Sequence, residues 1–257
     1  MEDNKEKKES LILGLDVSTK CIGACIMLDD GSENGKIVTL THVSPKTPKK
    51  MDATEALFVK TEIFRNQFLK QYKDIGISKV VIEEPLVLSN NANTVSTLLR
   101  FNGMISLVVY EELGIKANYI SSYDARKYAF PDLLEIRKYG KDGMEYPFKK
   151  ILKAVKDGNI TLFGGYPWDI DKKSLLQSKV AQLFPDVEWL YGKDGELKKE
   201  NFDASDSLIA CLGFMHREKY GDIVTDISNI EANEPKIKYT FKYWDKIEDR
   251  TIYLENK

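Results

Sequence analysis

The chain has 257 residues, 42% apolar and 30% charged, with a formal net charge of −2. That length suits one large domain, or a core domain with a sizeable insertion, and the composition is that of a soluble globular protein. A globally basic field for nucleic acid is excluded, and so is a membrane-spanning helix, because no apolar run approaches about 18 residues.

The opening "MEDNKEKKES" is charged from the start and lacks the apolar core of a signal peptide. It predicts a disordered tail over 1–10 and a soluble, intracellular, cytoplasmic protein. "LILGLDV" (11–17), with Asp16 near its end, reads as a buried strand, and "CIGACIML" (21–28) as a second. After the turn-rich "DDGSENGK", "IVTLTHV" (37–43) alternates as a third strand of an antiparallel meander. From Asp52, a good cap, to Gly76, a good stop, apolar residues recur at helical spacing (Ala56, Phe58, Ile63, Phe64, Phe68). "KVVIEEP" is a short buried strand ended by Pro85, "NTVSTLLRFNGMISLVVYEELG" a long apolar helix, and "KANYISS" a further strand. Three strands, then helix, strand, helix, strand predict an α/β architecture, a mixed five-stranded sheet flanked by helices.

Beyond Ser122 the pattern changes. Residues 124–171 read as an insertion with helical pieces, including the basic "YPFKKILKAVK", and an aromatic loop, "LFGGYPWD". From Arg126 to Lys156 nine basic residues stand against four acids, a patch able to neutralise phosphates or simply a solvated face. Trp168 in the loop either meets DNA or covers the core. "DKKSLLQSKVAQLF" is a helix, "EWLYGKDGEL" a hairpin or loop, and 204–219 a closing core helix. In the tail, "KIKYTFKYW" and "RTIYLE" suggest an added β-hairpin. The expected organisation is a core over 11–222 carrying the 124–171 insertion, then an extension over 223–257.

Two histidines leave little for histidine chemistry, and Cys21, Cys25 and Cys211 lie in apolar segments as reduced core residues. The carboxylates are more informative. In "NFDASDSLIACLGF" (201–214), Asp203 and Asp206 are three apart and share a helix face, with Asp203 and Ser205 as candidate N-caps. The plain reading is a cap plus an acid favoured by the helix dipole. Asp16 and Glu83, however, each close a strand. If those strands are neighbours and the last helix packs across them, four carboxylates converge and need a hard divalent cation, Mg2+ being the obvious choice. Two such ions about 3.5–4 Å apart would serve phosphodiester hydrolysis.

"ILGLDVSTKCIGACIM", "VVIEEP" and "FDASDSLIAC", in that order, resemble the three acidic motifs of RuvC-type Holliday junction resolvases of the RNase H-like (retroviral integrase-like) superfamily. The resemblance covers about 11–122 and 172–216; the insertion and the C-terminal tail, which it does not cover, suggest a specialised, phage-like or viral version. It implies an RNase H-like fold, with Asp16, Glu83, Asp203 and Asp206 as metal ligands and catalytic residues. Glu84 is the alternative to Glu83. "KKSLLQSKV" resembles the family's basic helix and makes Lys173 a phosphate or transition-state contact. Also implied are two Mg2+ ions per site (Mn2+ substituting), a homodimer, and paired nicks in a four-way or branched DNA junction that leave 5′-phosphates. Lys149, Lys150, Lys153 and Arg100 are the expected DNA contacts. The helix 93–113 offers either an interface or ordinary core through Leu98, Leu99, Met104, Leu107 and Val108.

Rival readings share parts of this pattern. Another RNase H-like nuclease would cut flaps or RNA–DNA hybrids. Sugar kinases and actin-like ATPases also open with a strand like "GLDVSTKCIG", but they need a second similar domain and have no use for Asp203 and Asp206.

Overall fold

The computed structural model describes residues 9–85, 91–164, 170–229 and 236–253, with the backbone alone for 225–229. Most of the expected N-terminal tail, and Trp168, lie outside the described residues. The chain divides into two units, one of Met1–Ala125 with Lys173–Phe214, the other of Arg126–Lys172 with Met215–Lys257.

In the first unit β1 (Ser10–Val17), β2 (Ile22–Asp29) and β3 (Lys36–Val43) form the antiparallel meander. Asp52 accepts from the backbone N–H groups of Thr54 and Glu55, capping α1 (Ala53–Phe64). A π-helical turn (Arg65–Leu69) and α2 (Lys70–Tyr72) extend it. Leu57, Thr61, Phe64 and Phe68 form its buried stripe; Phe58, expected to be apolar core, is 59% exposed because it lies one residue, about 100°, off that stripe. Gly76 takes the left-handed conformation where the chain turns into β4 (Ile77–Glu83). α3 (Ala92–Leu113) starts at an Asn91 cap and ends at left-handed Gly114, and β5 (Asn118–Ile120) follows.

The sheet order is β3-β2-β1-β4-β5, with β4 parallel to β1 and β5 parallel to β4. This is the mixed five-stranded sheet flanked by helices that the sequence predicts. Leu13, Leu15, Ile22, Val80 and Ile82 on one face share a core with Leu57, Phe64, Phe101 and Ile105 of α1 and α3. By strand alternation Ile12, Gly14 and Asp16, with Val81 and Glu83, occupy the other face. Along the chain follow α4 (Ser122–Ala129), α5 (Phe148–Lys156), α6 (Lys172–Leu183) and α7 (Phe202–Tyr220).

The second unit joins the insertion to the C-terminal segment. β6 (Leu134–Ile136) pairs with β7 (Ile160–Leu162), and β8 (Val224–Asn229), β9 (Lys236–Tyr243) and β10 (Lys246–Tyr253) form an antiparallel sheet. The expected hairpin is thus β9–β10, with β8 as a third strand. Ile151 and Val155 of the strongly amphipathic α5 meet Leu134, Ile136, Ile237, Phe241 and Ile252 in one core. Among the described residues no helix is long and apolar enough to cross a membrane.

Candidate active site

Two glycines set how closely α7 approaches the sheet. A Cβ on Gly14 of β1 would stand 2.5 Å from the Ser207 carbonyl oxygen and from Cys211 Sγ, and one on Gly23 of β2 would overlap the Asp203 carbonyl. Helix backbone therefore lies directly on strand backbone, which only glycine in the strands permits. The Cys211 thiol seals the contact by donating to the carbonyls of Ile12 and Cys25. α7 runs with Asp203 over Gly23 and Ser207 over Gly14. Gly23 is the ladder partner of Asp16. The first turn of α7 thus sits at the end of β1 where Asp16 emerges.

β4 brings in the next acid. Glu83 lies one residue beyond the Leu15–Ile82 pair, so it follows the same register as Asp16. Neighbouring strands are about 4.8 Å apart, and both residues belong to the α7 face. Glu83 is half-buried and ends its strand, whereas Glu84 is exposed and past it. This geometry favours Glu83 over Glu84.

The start of α7 differs from the sequence expectation. A 3-10 turn (Lys199–Asn201) runs straight into the helix at Phe202, so neither Asp203 nor Ser205 is an N-cap. Asp203 lies in the first turn, and Ser205 is buried in the helix, its Oγ without a hydrogen-bond partner among the described residues. Buried Asn201 fixes this entry, accepting from the Leu190 N–H at 3.1 Å and donating to the Leu190 carbonyl at 2.9 Å. Gln177 of α6 donates to the Lys198 carbonyl at 2.9 Å. That bond helps set α6 beside the start of α7, where Lys173 Nζ meets Asp206 Oδ2 at 3.0 Å. The Asp206 side chain is 11% exposed and that of Lys173 51%.

The field of the acids registers on a residue that sequence reading assigned only to the core. The Cys21 thiol is pushed up to about 12, first by burial, then by a hydrogen bond to Asp203, with the charges of Asp203 and Asp16 adding to it. Ser44 Oγ, at 3.6 Å, pulls the other way. Lys60 of α1 donates to the Thr19 carbonyl at 2.6 Å and ties down the β1–β2 turn beside Asp16. The sequence signals for this contact were the glycine in each strand and the cysteine two residues before Gly23.

Asp16, Glu83, Asp203 and Asp206 therefore gather around one end of the sheet, on its α7 side. They do not close into a coordination shell: among the described residues no group of three or more His, Cys, Asp or Glu side chains is placed to hold a metal ion. Like charges separate unless something positive lies between them, and Lys173 is the positive group seated on Asp206. As a donor set the four are hard carboxylate oxygens, which suit Mg2+ or Mn2+ and not a thiolate-seeking metal.

The other expected contacts lie elsewhere. Lys149, Lys150 and Lys153 are exposed on α5 of the second unit, with Lys150 Nζ 3.6 Å from the Tyr146 ring centroid. Arg100 is exposed on α3 of the first unit. A cleft of about 830 Å3 between β3 and residues 183–188 contains none of the four acids.

No family model and no curated protein matches the sequence. Solved structures with a similar course of the chain include Thermus thermophilus RuvC, at 13% identity and a TM-score of 0.42, covering 81% of this chain and 95% of that one. The same organism's RuvC in complex with a Holliday junction substrate matches at 11% identity and 0.46, covering 81% and 94%. The yeast mitochondrial Holliday junction resolvase Ydc2 matches at 12% and 0.42, covering 80% and 78%.

Proposed function

We propose that the chain is a metal-dependent, structure-selective endodeoxyribonuclease that resolves four-way or branched DNA junctions by paired nicks. The observation that carries this reading is the backbone contact of α7 with Gly23, the ladder partner of Asp16. It sets the start of α7, with Asp203, at the end of β1, and the parallel pairing of β4 with β1 supports Glu83 as their neighbour.

Asp16, Glu83, Asp203 and Asp206 would hold Mg2+, with Mn2+ as a substitute and two ions per site. Bound there, the metal would supply Lewis-acid polarisation of a phosphate oxygen and a water acidic enough to attack phosphorus. The chain's own residues do the rest. Lys173 neutralises Asp206 in the resting protein, and on a flexible, half-exposed stem it can pass to a phosphate oxygen when DNA arrives. Lys149, Lys150, Lys153 and Arg100 contact the DNA backbone and position it without reading sequence.

Two symmetric nicks call for two sites. On α3, Leu99, Gly103, Leu107 and Tyr110 form an exposed stripe, with Leu107 56% and Tyr110 49% exposed. Gly103 has open space where a side chain would stand. Such a stripe lets a second copy approach closely and supports a homodimer through α3. Val108, by contrast, is buried in the core, and Met104 packs against it.

The test is a cleavage panel of labelled four-way junction, duplex, flap, single strand and RNA–DNA hybrid, each with Mg2+ and with chelator, for the wild type and Asp203→Asn. Paired nicks in the junction, abolished by chelator and by the substitution, are expected. Cutting of flaps or hybrids instead would overturn the junction as substrate. ATP turnover with no cutting would overturn the nuclease.

A further inference from the structure

Side chains alternate along β9. Ile237, Tyr239, Phe241 and Tyr243 are buried in the core of the second unit, so Lys236, Lys238, Thr240 and Lys242 lie on the opposite face. The ladder sets Tyr253 of β10 opposite Lys236 and Ile247 opposite Lys242, and Val224 of β8 flanks Lys242 on its other side. Tyr253 is 73% exposed and Ile247 71%, the highest values of any large apolar side chain among the described residues. By register two acids fall on this face, Asp249 of β10, which accepts from Thr240 Oγ1 at 2.9 Å, and Asp226 of β8, the ladder partner of Thr240 on the other side. Three lysines therefore share the surface with a tyrosine ring and a branched aliphatic side chain, both standing in water.

We propose that this face is a binding site for single-stranded nucleic acid, in which the β9 lysines follow the phosphate backbone and Tyr253 stacks on a base. Positions two apart on a strand lie about 6.7 Å from each other, so Lys236 and Lys238 present a row of cations along one direction. A linear polyanion matches that row. The exposed ring favours a single strand over a duplex, because only an unpaired base offers its face for stacking. Ile247 and Val224 extend the apolar floor beside Lys242. The site uses none of the carboxylates of the first unit and stands apart from the nuclease reading.

Anisotropy of a labelled oligothymidylate of about 16 nucleotides, measured on the full chain in chelator across a salt series, tests the proposal. Lys238→Ala is expected to make the slope of log affinity against log salt shallower by about 0.7, the share of one phosphate contact on a single strand. Lys238→Arg should restore it. Tyr253→Ala should lose roughly tenfold in affinity with the slope unchanged, and should leave duplex binding as it is in the wild type. Both side chains are exposed, and thermal melts check that the variants fold. Unchanged oligonucleotide affinity in both variants would overturn the site, as would equal losses on duplex. Binding to phosphatidylserine vesicles in place of the oligonucleotide, with the same residue dependence, would replace it with a membrane surface. Junction cleavage by the same variants in Mg2+ reads the nuclease separately, so either idea can fail alone.

Discussion

A methyl group at residue 23 would overlap the Asp203 carbonyl, and relief requires moving either β2 or the first turn of α7. Gly23→Ala is therefore expected to cost about 3 kcal/mol, the upper range for overpacking a tight contact, visible as a lower midpoint in urea. Cleavage should fall further than stability explains, because the shift displaces Asp203 from Asp16. Lys173 and Asp206 couple weakly by comparison. With the lysine half exposed, a double-mutant cycle of Lys173→Met and Asp206→Asn should give no more than about 1 kcal/mol. Cys21 supplies a pH test. Its thiol is raised from 9.0 to about 12 in the fold, so its contribution to stability is complete below pH 9 and is lost as pH rises toward 12. Asp203→Asn removes a charge that raises the thiol and leaves only a neutral amide oxygen as acceptor, so alkylation of Cys21 at pH 9 in chelator should quicken. The order and spacing of the acids single them out in the sequence as the candidate site. The cysteine is not singled out, since an apolar segment reads as core whichever carboxylate its thiol faces.

The elements were most legible where start and stop signals agree with periodicity. Asp52 caps α1 and Gly76 turns the chain beyond α2, both as the sequence predicts for that helical stretch. The Asp52 carboxyl is held below its ordinary range by the N–H groups of Glu55 and Thr54. Its stabilising effect is present above the ordinary carboxyl range and is lost as pH falls through the lowered value. Asp52→Ala should accordingly lower the melting temperature at neutral pH, and the difference from wild type should close in acid. Legibility failed where a neighbour decides. Phe58 fits a helical pattern as well as Leu57 does, and only the packing of α1 on the sheet picks the register. The true start of α7 depends on Asn201 gripping Leu190, a bond across a loop that no local preference encodes. β8 lacked the alternation that marked β9.

At the scale of the molecule, the sequence suggests an insertion and an extension but not that residues of both segments share one core. Ile136 and Ile151 from the first segment pack with Ile237, Phe241 and Ile252 from the second. Phe241→Ala should cost that core about 3–5 kcal/mol. Hydrogen exchange should then speed up in β6 and α5 as well as in β9, a coupling that two separately folded pieces would not display. The same interleaving governs how the protein is born. On the ribosome, α5 emerges with only the short β6 to meet its apolar stripe, and β9 and β10, which complete the cover, are made only after α7. β1 likewise waits for Ser207 and Cys211 to close over Gly14. The first unit cannot finish before about half of the second's sequence has been read, and the second cannot finish before all of the first's. Nascent chains of this protein therefore spend most of their synthesis with sticky surface showing, a long window of dependence on chaperones.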